Sequence, residues 1–174
     1  MGQLRLAASA AESRLHALAP EVCMPEKKTI ERAREDAREG KSPSTQAGEF
    51  VREEMDHVRE GKHGARSAKQ AIAIGLSKAR RAGVKLPPPG QGQASAKTRK
   101  QAQRETAKGK SHSASATSRT RSRATSAALQ REGRQAASRS ALSRHAHASA
   151  KRRGSANLKT AARKAARTRA KNRG

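Results

Sequence analysis

The side chains able to do chemistry fall into four short groups, and most of them miss the spacing that their chemistry needs. Gly40-Lys41-Ser42 has the ending of a phosphate-binding loop, in which backbone N–H groups cradle phosphates and the lysine reaches the outermost one. The glycine that such a loop needs five positions before Gly40 is Glu35, and the preceding residues read as a helix rather than a strand. Gly61-Lys62-His63-Gly64 reads as a helix–helix turn, with a phosphate contact as the alternative. His145-Ala146-His147 offers two imidazoles to a metal, but no carboxylate or thiol lies near in sequence, so both read as solvated histidines. Glu53, Glu54 and His57 cluster on one helix and read as part of an acidic solvent face; Glu54, beside the apolar stripe, has the alternative of pairing with a basic residue of the helix that follows. Cys23 is the single cysteine, which excludes an intramolecular disulfide and a cysteine-based zinc site. No nucleophile, base and orienting group assemble. The chain therefore reads as non-enzymatic, with no metal and no cofactor.

Cationic side chains are the remaining chemistry, and they are abundant. The 174 residues hold 40 Lys+Arg against 14 Asp+Glu, a formal net charge of +26. Residues 1–23 are neutral overall, residues 24–86 carry +5 and residues 87–174 carry +21, the last with only Glu105 and Glu132 as acids. Such a balance selects a polyanion as partner. In the basic segment Arg119, Arg121, Arg123, Lys151, Arg152 and Arg153 form dense clusters. Lys159, Arg163, Arg167 and Lys171 recur every fourth residue, so on a helix they align as one basic face. Alanines between them supply helix propensity, and phosphates would screen their mutual repulsion, so this stretch is expected to fold on binding. If about ten of these cations meet duplex phosphates, the logarithm of affinity falls against the logarithm of salt with a slope near −9. Base readout has no support: there is no aromatic platform, zinc finger or RNA-recognition signature.

The elements that must position these groups are helical, and most of the chain lacks the means to form a core. There is one aromatic residue, Phe50, and no apolar run long enough to span a membrane. Only residues 24–86 show periodicity with punctuation. A first helix over 26–39 carries Ile30, Ala33 and Ala37 on one face. Ser42-Pro43 offers an N-cap and a proline at the first helical position, opening a second helix over 43–60 with Ala47, Phe50, Val51, Met55 and Val58 at helical spacing and Gly61 at its end. Ser67 and Gln70 make a capping box for a third helix over 67–82, whose stripe is Ala68, Ala71, Ile72, Gly75, Leu76 and Ala79. Small residues on that stripe allow another helix to approach closely. Gly83, Val84 and Leu86-Pro87-Pro88-Pro89 then close the segment. Lys69, Lys78, Arg80 and Arg81 border the third helix and give a further candidate basic face.

The expected architecture is mostly α with extensive disorder: a helical hairpin or three-helix unit over 24–86, then a low-complexity basic tail over 87–174 that holds only Leu129, Leu142 and Leu158 as large aliphatics. Residues 1–23 read as a poorly ordered extension. Met24-Pro25-Glu26-Lys27-Lys28 resembles a natural start, which leaves Met1 and Met24 as alternative starts. A domain of this size is marginally stable, so dimerisation or a protein partner through residues 43–82 is expected.

The run KSPSTQAGEFVREEM, continued by GKHGARSAKQAIAIGLSKARRAGVKLPPP, resembles a small bacterial family catalogued as a domain of unknown function, over about residues 24–89. The resemblance implies no established activity; some members of that family carry DNA-binding or plasmid-stabilisation labels. In composition, the tail resembles the C-terminal tails of linker-histone-like bacterial proteins. Three functional readings follow. The leading one is sequence-independent DNA binding of a nucleoid-associated or histone-like kind, in the cytoplasm. The others are an RNA-binding or RNA-chaperone protein, favoured by Ser-Arg dipeptides such as Ser118-Arg119 and Ser122-Arg123, and a protein-interaction module of plasmid maintenance.

Overall fold

A computed structural model of the chain describes residues 24–111 and 119–171, with Arg119 and Lys171 as backbone alone. The expectations made for residues 1–23, including the alternative starts, and for residues 112–118 lie outside the described residues. The described part is α-helical, with no strand among its residues. It forms two units, one ending at Ala137 and the other running from Ser138.

Three helices of the first unit follow from the sequence signals. Helix α1, Lys27–Arg38, is amphipathic and buries Thr29 and Ala33. Ile30 packs against the core, whereas Ala37 of the expected stripe is exposed. Helix α2, Pro43–Glu60, starts at an extended Ser42 whose hydroxyl accepts from Thr45 N–H, with Pro43 in the first turn. It ends at Gly61, whose φ of 78° is left-handed and suits glycine. Helix α3, Ala68–Arg81, is capped by the Ser67 hydroxyl, which accepts from Gln70 N–H. The return arm of the expected capping box is displaced by one residue: Gln70 Oε1 accepts from Arg66 N–H at 2.8 Å. At the other end Gly83 takes a φ of 95° and Val84 N–H returns to Ala79 O, which buries Val84.

Helices α2 and α3 make the principal pairing. Gly75 is where they meet: a Cβ there would lie 2.7 Å from Val51 Cα and 2.9 Å from Phe50 O, so the two backbones approach as only a residue without a side chain permits. Ala33, Ala47, Phe50, Ala79 and Val84 form the adjoining core, with Ile30, Leu76 and Leu86 packed against it. Burial of this apolar area is what stabilises the unit.

Beyond residue 87, where the sequence reads as a low-complexity tail, the described residues form further helices. Helix α4, Ala96–Ser111, buries Ala102, Glu105 and Gly109 and packs on α3. Ser77 Oγ donates to Glu105 Oε1 at 2.6 Å, and Gln101 Nε2 donates to the same oxygen at 3.0 Å. Gly109 has no room for a Cβ beside the Arg80 carbonyl. The contact uses alanine, glycine and one carboxylate, a form of packing that a count of large aliphatics does not register. Helix α5, Arg119–Gln130, and a 3₁₀ turn, Arg134–Ala137, complete the unit. Leu129, Ala136 and Ala137 are buried. Residues 129–133 hold the turn after α2 through Gly64 N–H to Leu129 O at 2.9 Å and Ala65 N–H to Gly133 O at 3.1 Å.

The second unit is one long helical element, α6, Arg139–Lys171, broken at Gly154, whose φ of 75° and ψ of 163° belong to a backbone region open essentially to glycine alone. Every described residue from Lys151 to Ala170 is exposed.

Candidate functional site

Two sets of side chains stand out, one outside and one inside. The outer set is the cations. Arg121 and Arg123 project from α5, and Lys151, Arg152, Arg153, Lys159, Arg163 and Arg167 from α6, all of them exposed. Arg119 and Lys171 lie in helices, but their side chains fall outside the described part. Helix α6 contains no acidic residue. After Gly154 its backbone is helical, so Lys159, Arg163, Arg167 and Lys171 do fall at four-residue spacing along one helix, as expected.

The further basic face on α3 needs correction. Lys69 and Arg81 are exposed, with Arg81 held by Ser77 through its guanidinium. Lys78 is only 1 % exposed and Arg80 7 %, so neither presents its charge to a partner. Arg80 directs its guanidinium at the Leu76 and Pro87 carbonyls at 3.5 and 3.4 Å, and burial pushes its pKa down. Lys78 faces inward because α2 brings it two carboxylates: its Nζ lies 3.1 Å from Glu53 Oε1 and 2.9 Å from Glu54 Oε2. A charge that deep requires such partners. The alternative pairing of Glu54 with α3 is thus the one adopted.

The inner set grows from that ion pair. Glu53, Glu54 and His57 are buried, so the solvent-face reading of these residues does not hold. The second Glu53 oxygen accepts Glu26 N–H at 3.1 Å, which ties the start of α1 to α2. Glu26 Oε1 lies 2.9 Å from His57 Nε2 and 3.2 Å from Lys62 Nζ. Hydrogen bonds from His57 first and Lys62 second hold the Glu26 carboxyl below its usual pKa. His63, carried by the turn after α2, is 2 % exposed and puts Nδ1 3.1 Å from Gly64 O. Its Nε2 reaches to 3.3 Å from Glu54 Oε1. The two imidazoles meet edge to face, centroids 5.9 Å apart. Glu54, His57 and His63 each turn one donor atom inward, and these atoms lie within 4.8 Å of one another. The sequence reading gave Glu54 and His57 to a solvent face and His63 to a turn, and did not bring the three together. Its available signal was a Glu-x-x-His pair, three apart and therefore on one helix face, followed by a histidine between two glycines.

The family comparison covers the inner cluster and not the cations of α5 and α6. A family model, Family of unknown function (DUF6496), matches residues 27–90, which bears out the resemblance to a domain of unknown function. The match contains Glu53, Glu54, His57, His63 and Lys78, and leaves α4, α5 and α6 outside it. No curated protein and no solved structure matches the chain. No described helix is long and apolar enough to cross a membrane.

Proposed function

We propose that this chain binds nucleic acid, duplex DNA in the first place, by neutralising phosphates without reading sequence, in the manner of nucleoid-associated proteins. The observation that carries the reading is α6, which displays eleven cations and no acid along 33 residues, exposed wherever its side chains beyond Gly154 are described. A helix of this kind has no partner for its charge within itself. Phosphates spaced along a duplex supply one, and release of condensed counterions supplies the free energy. The helical hairpin of α2 and α3 is then a folded carrier with its own role, because two of the four cations expected on α3 are buried.

The reading is one of binding without catalysis. It is tested by fluorescence anisotropy of a labelled duplex with the full chain across a salt series. About ten phosphate contacts give a slope near −9 in log K against log salt, and removal of residues 139–174 should flatten that slope and abolish most of the affinity at about 100 mM salt. Retained or sequence-dependent affinity after the removal would place binding elsewhere. Competition with structured RNA in the same series decides which nucleic acid is preferred.

A further inference from the structure

We propose that Glu54, His57 and His63 form a binding site for a divalent transition-metal ion of the zinc class. His63 Nδ1 faces the Gly64 carbonyl, which can only accept, so Nδ1 carries a hydrogen. In a neutral ring, Nε2 is then a bare lone pair, and it points at Glu54 Oε1 at 3.3 Å, another lone-pair atom. His57 repeats the pattern in mirror image. Its Nε2 meets the Glu26 carboxylate at 2.9 Å, which leaves Nδ1 as the inward lone pair. His57 Nδ1, His63 Nε2 and Glu54 Oε1 are buried without a hydrogen-bond partner, while Glu54 Oε2 is ion-paired with Lys78. Three electron-pair donors thus converge in the interior of the unit.

Charge leads to the same conclusion. Lys78 is a single ammonium between the two buried carboxylates of Glu53 and Glu54, so the cluster is one cation short. A proton on His63 would supply that charge but would leave His57 Nδ1 unpaired. A divalent ion more than supplies it and takes all three donors. Two imidazoles and a carboxylate suit zinc, with water as the fourth ligand. The surroundings have the form that supports such ligands: a carboxylate on the far nitrogen of one histidine and a backbone carbonyl on that of the other. Lys78 stays on the second Glu54 oxygen. The donor atoms, within 4.8 Å of one another, must close toward the ~3.3 Å edge of a tetrahedral zinc shell.

The test uses the full, tag-free chain stripped with a chelator and titrated with ZnCl₂ against a chromophoric competitor. One Zn²⁺ per chain is expected, and Co²⁺ in its place should give the visible absorption of a four-coordinate ion. Glu54→Gln should abolish binding, and Glu26→Gln should weaken it about 10–100-fold. The combined His16→Ala, His112→Ala, His145→Ala and His147→Ala variant should bind as the parent does. Loss of binding in that variant, or a chain that takes up no zinc, overturns the proposal. Nitrogen-15 NMR of the unsubstituted chain keeps the test independent of folding in the variants. Zinc should move His57 Nδ1 and His63 Nε2 to metal-bound shifts. A His63 that is imidazolium at neutral pH and unmoved by zinc overturns the site.

Discussion

The ammonium of Lys78 sits 2.9 Å from Glu54 Oε2, with the two side chains 1 % and 0 % exposed, and it is the only cation that also reaches Glu53 among the described residues. A charge removed from such a place leaves its partners uncompensated rather than merely unpaired. Lys78→Met therefore strands two carboxylates in the core between α2 and α3, at a cost of about 3–5 kcal/mol. In a small unit with a total stability of roughly 5–15 kcal/mol, that is a large share of what holds it together. The urea midpoint of Lys78→Met should fall sharply. The triple variant Lys78→Met, Glu53→Gln, Glu54→Gln should regain part of the loss, and a Lys78→Met midpoint equal to the parent's would show that the pair is not buried as described.

Gly75 and Gly48 make opposite predictions from the same substitution. Alanine has the higher helix propensity by about 1 kcal/mol, and at Gly48, exposed on α2 with nothing within 4 Å of a Cβ, that gain should appear as a higher melting temperature. At Gly75 the new Cβ would press on the backbone of Val51 and Phe50 at 2.7 and 2.9 Å, which no rotamer change relieves. Parting the helices there should cost about 1–3 kcal/mol, the usual range for overpacking. Paired thermal melts of Gly48→Ala and Gly75→Ala check the sign of each. A stabilised Gly75→Ala would refute the close crossing.

That crossing is also where the sequence was most legible. Periodicity and caps marked α1, α2 and α3, because Ser42, Ser67, Gly61 and Gly83 act through their own neighbours and leave a local trace. Small residues on the α3 stripe announced a close approach before its partner residues were known. What stayed illegible depends on the fold. Glu53 and Lys78 look like surface charge in a linear reading, Glu54 offers a pairing with the next helix only as an alternative, and the juxtaposition of α2 with α3 turns all three inward. Docking of α4 was hidden for a related reason, since Ala102 and Gly109 bury little area each and act by letting backbones touch. The candidate metal donors combine both difficulties: Glu54 and His57 share a helix face, but His63 joins them only through the turn at Gly61.

Glu26 gives a pH dependence. Hydrogen bonds from His57 and Lys62 hold its carboxyl below the ordinary value of 4.5, so the ionised form is favoured in the folded state. A carboxyl lowered in this way contributes stability above its unfolded pKa and loses that contribution as pH falls through the folded one. Because the Glu26 side chain is half exposed, solvent screening keeps the effect small. With a chelator present to exclude metal, urea midpoints of the parent and Glu26→Gln should differ at pH 6 to 7, converge below about pH 4.5, and coincide once Glu26 is protonated in both states. A difference that instead widens in acid would contradict the assigned contacts.

The break at Gly154 bears on how the basic helix meets a polyanion. Its φ of 75° and ψ of 163° divide α6 into two helical stretches, and an L-residue disfavours that conformation. Gly154→Ala should convert the element into one uninterrupted helix, raising helicity in far-UV circular dichroism by removing both the break and the propensity cost of about 1 kcal/mol. The number of cations is unchanged, so a phosphate-neutralising chain should keep its salt slope, to within about one unit of log K per log salt. Lys159→Gln with Arg163→Gln, by contrast, removes two cations from one face and should reduce the magnitude of the slope by about 2. Anisotropy titrations of the three chains on one duplex separate the effects. A slope that collapses in Gly154→Ala while surviving in the double variant would mean that the shape of α6, and not its charge, governs binding.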